Sequence, residues 1–128
     1  MKESPNLSYI DKLANGDELF ADNLMNIIRK ELPTEIKTYR LHLENEEFLK
    51  TVDAVHKLSH KISILGLENG YKVAKTFETD LLQKNLRLRP DFDHILETML
   101  HFIENEYGAG LRKKYLSGTS GKPKKEKK

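Results

Sequence analysis

Apolar residues recur every three or four positions along most of the chain, which is the spacing of one face of an α-helix. No segment alternates apolar and polar residues between turn signals in the way that a half-buried strand does. Residues that typically begin or end helices separate the apolar segments at Asn15-Gly16, Pro33, Asn45, Gly66 and Pro90. The pattern therefore predicts helices over residues 7–14, 17–32, 33–44, 46–65, 67–84 and 90–107.

The predicted helices are amphipathic and joined by short connections, which favours antiparallel neighbours. We expect an all-α fold, an up-and-down four-helix bundle with one or two additional helices at its N-terminus. Two of the helices meet at Pro33, which suits the first turn of a helix because the N–H that it lacks would have no helical partner there. The helix before it then has one apolar stripe, formed by Phe20, Leu24, Ile27 and Ile28.

The composition separates a folded body from a charged tail. A chain of 128 residues with 38% hydrophobic content is sufficient for one core, and we assign residues 1–116 to a single domain. Residues 117–128 contain five lysines, one glutamate and no residue able to build a core, so we expect a disordered tail. Without the +4 of this tail, the total charge of +2 becomes −2 on the domain.

The cysteine content, the charge and the lengths of the apolar runs exclude several classes of function. The chain has no cysteine, which excludes disulfides, thiolate zinc sites and thiol nucleophiles. The domain lacks the basic surface that nucleic-acid binding requires, and no apolar run approaches the ~20 residues that span a bilayer. We expect a cytoplasmic protein that binds neither nucleic acid nor membrane.

Two histidines lie four residues apart in the segment AVHKLSHKISILG, which otherwise has the pattern of an amphipathic helix. A projection at ~100° per residue places four residues on one polar stripe beside the core face: His56, Ser59, His60 and Ser63. The same projection places Lys57 and Lys61 on the fully exposed side. An exposed imidazole is mostly neutral, and therefore nucleophilic, near pH 7.

Leu58 lies two positions after His56, and Gly66 lies ten positions after it. These spacings resemble the histidine-containing phosphotransfer (HPt) domain of bacterial multistep phosphorelays, whose motif is His-x-Leu-Lys-Gly followed by a glycine at position plus ten. The upstream segment LSYIDKLANGDELFADNLMNIIRKELP is similar to the opening helices of that family, and the TFE of residues 76–78 resembles a Leu-Glu pair on the following helix. The resemblance covers residues 7–82.

The chain departs from the family motif at two positions beside the histidine. Ser59 stands where the family has a lysine that offsets the charge of the phosphoryl group, and His60 stands where the family has glycine. We hypothesise that protonated His60 replaces the missing cation; this fails if His60→Gly changes neither the transfer rate nor the lifetime of the phosphorylated form. Counting from His60 instead of His56 loses the glycine spacing, so His56 is the preferred acceptor.

The resemblance implies a phosphorelay carrier. His56 would accept a phosphoryl group from the aspartate of a receiver domain, supplied by a hybrid sensor histidine kinase, and pass it to a second receiver. The residues expected to support His56 are Ser59, His60, Lys57, Lys61, Ser63 and Gly66. No nucleotide-binding motif is present, so we expect a monomeric carrier that is not an enzyme and has no cofactor, with Mg²⁺ only in the receiver.

Two alternatives remain. The departures at Ser59 and His60 fit a degenerate HPt-like adaptor that docks receivers without transfer. The spacing of His56 and His60 also fits two metal ligands on one helix. Lys57 replaces the glutamate that a zinc-protease motif requires, however, and further ligands would have to come from distant histidines or carboxylates.

Overall fold

The computed structural model of the chain describes residues 3–107, and the regular structure within that range is entirely helical. Its elements are α1 (Ser8–Ala14), α2 (Glu18–Glu44), α3 (Phe48–Ile64), α4 (Glu68–Leu82) and α5 (Arg89–His101), the last of which continues as a π-helical segment over Phe102–Tyr107. Because this range contains no strand, the prediction of an all-α fold is confirmed there. The predicted domain boundary at residue 116 and the predicted tail lie outside the described residues.

Helix α2 is one continuous element, so the predicted break at Pro33 is wrong. Proline in a helix interior removes one backbone hydrogen bond and costs ~3 kcal/mol. The buried residues of α2 continue in steps of three and four across this position, and they comprise Met25, Ile28, Leu32, Ile36, Tyr39 and Leu43. Packing of this stripe outweighs the local cost, and the exposed proline ring stays outside the core.

The continuous helix also corrects the stripe predicted for its first half. Met25 and Ile28 are buried, whereas Ile27 and Phe20 are largely exposed and Leu24 is intermediate. The buried stripe that passes Pro33 sets the rotation of the whole helix. With α2 unbroken, one additional helix, α1, precedes the four longer ones.

Three aromatic rings connect the long helices inside the core. Tyr39 of α2 packs edge to face on Phe92 of α5 at 5.2 Å and on Phe77 of α4 at 6.5 Å, and the two phenylalanine rings lie 5.3 Å apart. The Tyr39 hydroxyl donates to Asp93 Oδ1 at 2.9 Å. Burial, followed by the neighbouring Asp93 carboxylate, raises the pKa of Tyr39 above its ordinary value. Helix α3 packs between α2 and α4, and α5 contacts both α4 and α2.

The turn between α3 and α4 is built around Gly66, as the sequence predicts. Gly66 has φ +80°, in the left-handed region that favours glycine. An added Cβ atom would lie 2.5 Å from the side-chain nitrogen of Asn6. Asn6 also donates its backbone N–H to the carbonyl of Leu65 at 2.8 Å, and Glu3 Oε1 accepts from the backbone N–H of Gly70 at 2.6 Å. The segment before α1 therefore fastens this turn.

Within residues 3–107, no helix combines the length and the apolar character that a membrane span requires.

Candidate functional site

His56 lies near the middle of α3, on the surface beside the core. The helix begins after Glu46, which has a left-handed φ of 58°, and ends at the Gly66 turn. Val55 and Leu58, on either side of His56 in the sequence, are fully buried. The side chain of His56 is 48% exposed, which agrees with the helical projection. A packed helix therefore holds His56 with about half of its side chain exposed.

Two side chains of α4 contact the same nitrogen of that imidazole. Lys75 Nζ lies 3.2 Å from His56 Nδ1, and Glu78 Oε1 lies 3.4 Å from the same atom. Lys75 Nζ is also 3.0 Å from Glu78 Oε2, so the three side chains form one contact network. Glu78 is only 15% exposed, which reduces screening of its charge by water.

The other ring nitrogen of His56 faces a different environment. No hydrogen bond from residues 3–107 reaches Nε2, whereas Nδ1 is occupied by α4. Nε2 is therefore the ring nitrogen without a hydrogen-bond partner among the described residues, on a side chain that is half exposed.

Sequence reasoning missed Lys75 and noted Glu78 only as part of the TFE segment. A usable signal lies in the turn that joins the helices. In an antiparallel helical hairpin, residues at similar distances from the turn face each other. His56 precedes Gly66 by ten positions, while Lys75 and Glu78 follow it by nine and twelve.

His60 is the neighbour of His56 on the same helix, one turn further along. The two rings pack edge to face with centroids 4.8 Å apart and an interplanar angle of 69°. His60 is exposed, as is Ser63, and both positions agree with the predicted polar stripe.

Ser59 does not belong to this stripe, and the prediction that placed it there is wrong. Its side chain is fully buried, and its hydroxyl donates to the backbone carbonyl of His56 at 2.6 Å. The buried face of α3 is wider than an isolated projection indicates, because α3 packs against both α2 and α4. Ser59 therefore contacts the backbone of His56 and presents no hydroxyl to an approaching partner.

Lys61 is also placed differently from the prediction. Its side chain is 11% exposed, and Nζ lies 3.0 Å from both Glu31 Oε1 and Glu35 Oε2 of α2. Lys57 is 65% exposed, as predicted, and lies 3.8 Å from Asp53. Lys61 therefore connects two helices, and Lys57 is a surface charge.

No group of three or more histidine, aspartate, glutamate or cysteine side chains in residues 3–107 is arranged to hold a metal ion. The His56 and His60 pair accordingly has no third protein ligand within this range.

Comparisons with protein-family models, with curated proteins and with solved structures find no match to this chain. The function is therefore inferred from the geometry around His56.

Proposed function

We propose that this protein is a phosphohistidine carrier of a multistep phosphorelay. His56 accepts a phosphoryl group from the aspartyl phosphate of one receiver domain and returns it to the aspartate of another. The observation that supports this function best is the asymmetry of the half-exposed ring: Nδ1 contacts Lys75 and Glu78, whereas no hydrogen bond from residues 3–107 reaches Nε2. A nucleophile of this kind needs one nitrogen positioned by the protein and one that is free to react.

In the transfer step, His56 is the only residue of this chain that forms or breaks a covalent bond. The lone pair on Nε2 attacks phosphorus, the bond between phosphorus and the aspartyl oxygen breaks, and the carboxylate leaves with that electron pair. The phosphorylated ring keeps its proton on Nδ1 and is positively charged. Glu78 accepts a hydrogen bond from that Nδ1–H and stabilises the positive ring. The reverse step, toward a second receiver, follows the same course.

Lys75 supplies the cation that the family motif places three positions after the histidine. Ser59 occupies that position here and is buried, so it carries no charge to the site. The ammonium of Lys75 lies 3.2 Å from the His56 ring and is partly exposed, so it can contact the oxygens of an arriving phosphoryl group. In this proposal a cation from α4 replaces one from α3.

The packing of the helices is consistent with the four-helix bundle that phosphotransfer domains use. We assign α2, α3, α4 and α5 to the bundle and α1 to the single extra helix, with the chain acting as a monomer. We also place the protein in the cytoplasm, where receiver domains and hybrid sensor kinases meet. Mg²⁺ would be held by the receiver.

Incubation of the full chain with receiver domains carrying ³²P on aspartate tests this function. We expect acid-labile label on the wild-type chain, retained in His60→Gln and absent from His56→Gln. Label that persists in His56→Gln would contradict the proposal. If receivers of the same cell bind the chain but leave no label on it, the adaptor function is correct instead.

A further inference from the structure

We propose that Lys75 and Glu78 compete for Nδ1 of His56, and that Lys75 thereby holds the imidazole in its unreactive tautomer until a phosphoryl group arrives. Lys75 is in this sense a positioning residue, because it acts through the proton on the ring. This inference deepens the proposed function and rests on it, since it concerns the regulation of the same site.

The competition follows from the donor and acceptor chemistry of the two side chains. A lysine ammonium only donates hydrogen bonds, and an ionised carboxylate only accepts them. A hydrogen bond from Lys75, now 3.2 Å away, therefore requires a lone pair on Nδ1, whereas a hydrogen bond to Glu78, now 3.4 Å away, requires a proton there. A neutral imidazole has one nitrogen of each kind, so it satisfies one neighbour at a time.

The two tautomers differ in reactivity at the exposed nitrogen. When Lys75 donates to Nδ1, the ring proton is on Nε2, and that nitrogen has no lone pair for attack on phosphorus. When Glu78 accepts from Nδ1–H, the lone pair is on Nε2, and attack is possible. Of the two contacts, that of Lys75 has hydrogen-bond geometry and that of Glu78 is an ion-pair contact at 3.4 Å, and a hydrogen bond from Lys75 corresponds to the unreactive tautomer.

Besides Nδ1 of His56, the ammonium of Lys75 can contact the Glu78 carboxylate, the Tyr71 ring or solvent. It lies 3.0 Å from Glu78 Oε2 and 5.7 Å from the centroid of the Tyr71 ring, and the lysine side chain is 36% exposed. The oxygens of an incoming phosphoryl group would attract it more strongly than a neutral ring nitrogen does. When Lys75 withdraws toward that group, Nδ1 takes a proton from water and donates it to Glu78, and Nε2 of the half-exposed ring releases its proton to water, which leaves the lone pair on Nε2.

Nitrogen NMR of the imidazole measures this competition directly. We would label the histidines of the full chain with ¹⁵N and record the ring-nitrogen shifts of His56 above pH 8, where an ordinary imidazole is neutral. We expect the Nε2–H tautomer to dominate in the wild type. We expect Lys75→Met to move the ratio about fivefold or more toward Nδ1–H, as loss of a charge-assisted hydrogen bond would.

Matched variants separate this effect from a general change in charge. Lys57→Met removes a cation from the surface of the same helix as His56 and should leave the ratio unchanged. Lys75→Arg keeps a donor and should restore the Nε2–H form. Dominance of Nδ1–H in the wild type, or the same ratio in Lys75→Met as in Lys57→Met, would overturn the inference.

The result is distinguishable from failure of the proposed function. A tautomer shift in Lys75→Met combined with no label from any phosphorylated receiver would contradict the phosphorelay role and support the competition at Nδ1. Label on His56 combined with an unchanged tautomer ratio would support the phosphorelay role and overturn the inference about Lys75.

Discussion

At the scale of single residues, the chemistry proposed for His56 depends on a carboxylate of the neighbouring helix. Glu78 is largely buried, and its Oε1 lies 3.4 Å from Nδ1 of the ring. The same carboxylate lies against the ammonium of Lys75, so its position is constrained from two sides. In the proposed transfer, Glu78 is therefore the side chain that keeps the proton on Nδ1.

Replacement of Glu78 by glutamine tests that role. The amide is uncharged and stabilises the positive phosphorylated ring less than a carboxylate does, so we expect transfer from a phosphorylated receiver to slow by about tenfold, equivalent to ~1.4 kcal/mol. Rapid-quench measurement of label transfer gives the rate. Glu97→Gln, at an exposed position of α5, is the control and should transfer at the wild-type rate. Equal rates for both variants would remove Glu78 from the site.

Replacement of Lys57 and replacement of Lys61, both on α3, should change the stability of the protein by different amounts. Lys61 is buried between Glu31 and Glu35, so Lys61→Met leaves two acidic side chains without their shared cation. We expect a loss of about 1–3 kcal/mol in the free energy of unfolding, measured with urea. Lys57→Met removes an exposed charge and should change stability by less than about 0.5 kcal/mol. Similar losses for the two variants would contradict the bridging role of Lys61.

At this scale the sequence predicts positions on one helix better than contacts between helices. Periodicity is sufficient to expose His56 and His60 and to place Gly66 at the turn. It does not reveal that Ser59 is buried and that Lys61 is largely buried, because the width of a buried face depends on the helices that pack against it. Lys75 reaches the site only through the hairpin of α3 and α4.

At the scale of elements, α2 contains the largest disagreement between local signals and structure. Pro33 signals a helix boundary, yet the buried stripe on either side of it continues without a change of phase. A local rule acts over one turn, whereas the packing of α2 extends along its whole length of 27 residues. The same packing rotates Ile27 toward solvent and Met25 into the core.

Replacement of Pro33 by alanine should stabilise the protein. Alanine restores a backbone N–H that can donate within α2, and the exposed proline ring leaves no cavity when it is removed. We expect a gain of about 1–3 kcal/mol in urea unfolding. An unchanged or lower stability would show that the proline is required for the course of α2.

The turn between α2 and α3 contains a hydrogen-bonded carboxylate, Glu47, that should respond to acid. His42 Nδ1 lies 2.9 Å from Glu47 Oε1, and Lys50 lies 3.6 Å from the other carboxylate oxygen. The hydrogen bond with His42 is the main cause that lowers the pKa of Glu47 below its ordinary value. The Glu47 carboxylate therefore binds a proton less readily in the folded state than in the unfolded state.

The pH dependence of stability tests this pair. Because the pKa of Glu47 is lower in the folded state, its stabilisation is complete above the unfolded value of about 4.3 and disappears as the pH falls through the folded value. We expect the wild type to be more stable than Glu47→Gln at pH 6, with a difference that shrinks toward pH 3. Denaturant unfolding across this range measures it, and a difference that stays constant would contradict the contribution of Glu47.

At the scale of the whole molecule, the core supports the helix on whose surface His56 lies. The aromatic contacts between Tyr39, Phe77 and Phe92 connect three helices, and α3 lies between two of them with His56 at its surface. Glu3 and Asn6 attach the N-terminal segment to the turn that aligns α3 with α4. Rigid presentation of this kind is what a transfer between two protein partners requires.

At this scale too, the sequence predicts single helices better than it predicts contacts between helices. Helical periodicity carries the fold class and most helix bounds, because each helix has a buried face of its own. The course of α2 and the contacts at Nδ1 arise only when helices pack together. The departure from the family motif at Ser59 therefore looked like a missing cation, while the structure places the ammonium of Lys75 beside the ring.

The measurement that tests the central claim most directly is ³¹P and ¹⁵N NMR of the histidine-labelled chain after transfer from a phosphorylated receiver. We predict one phosphohistidine, with phosphorus coupled to Nε2 of His56. Phosphorus on Nδ1 of His56, on His60, or on no histidine at all would contradict the proposed role of this site.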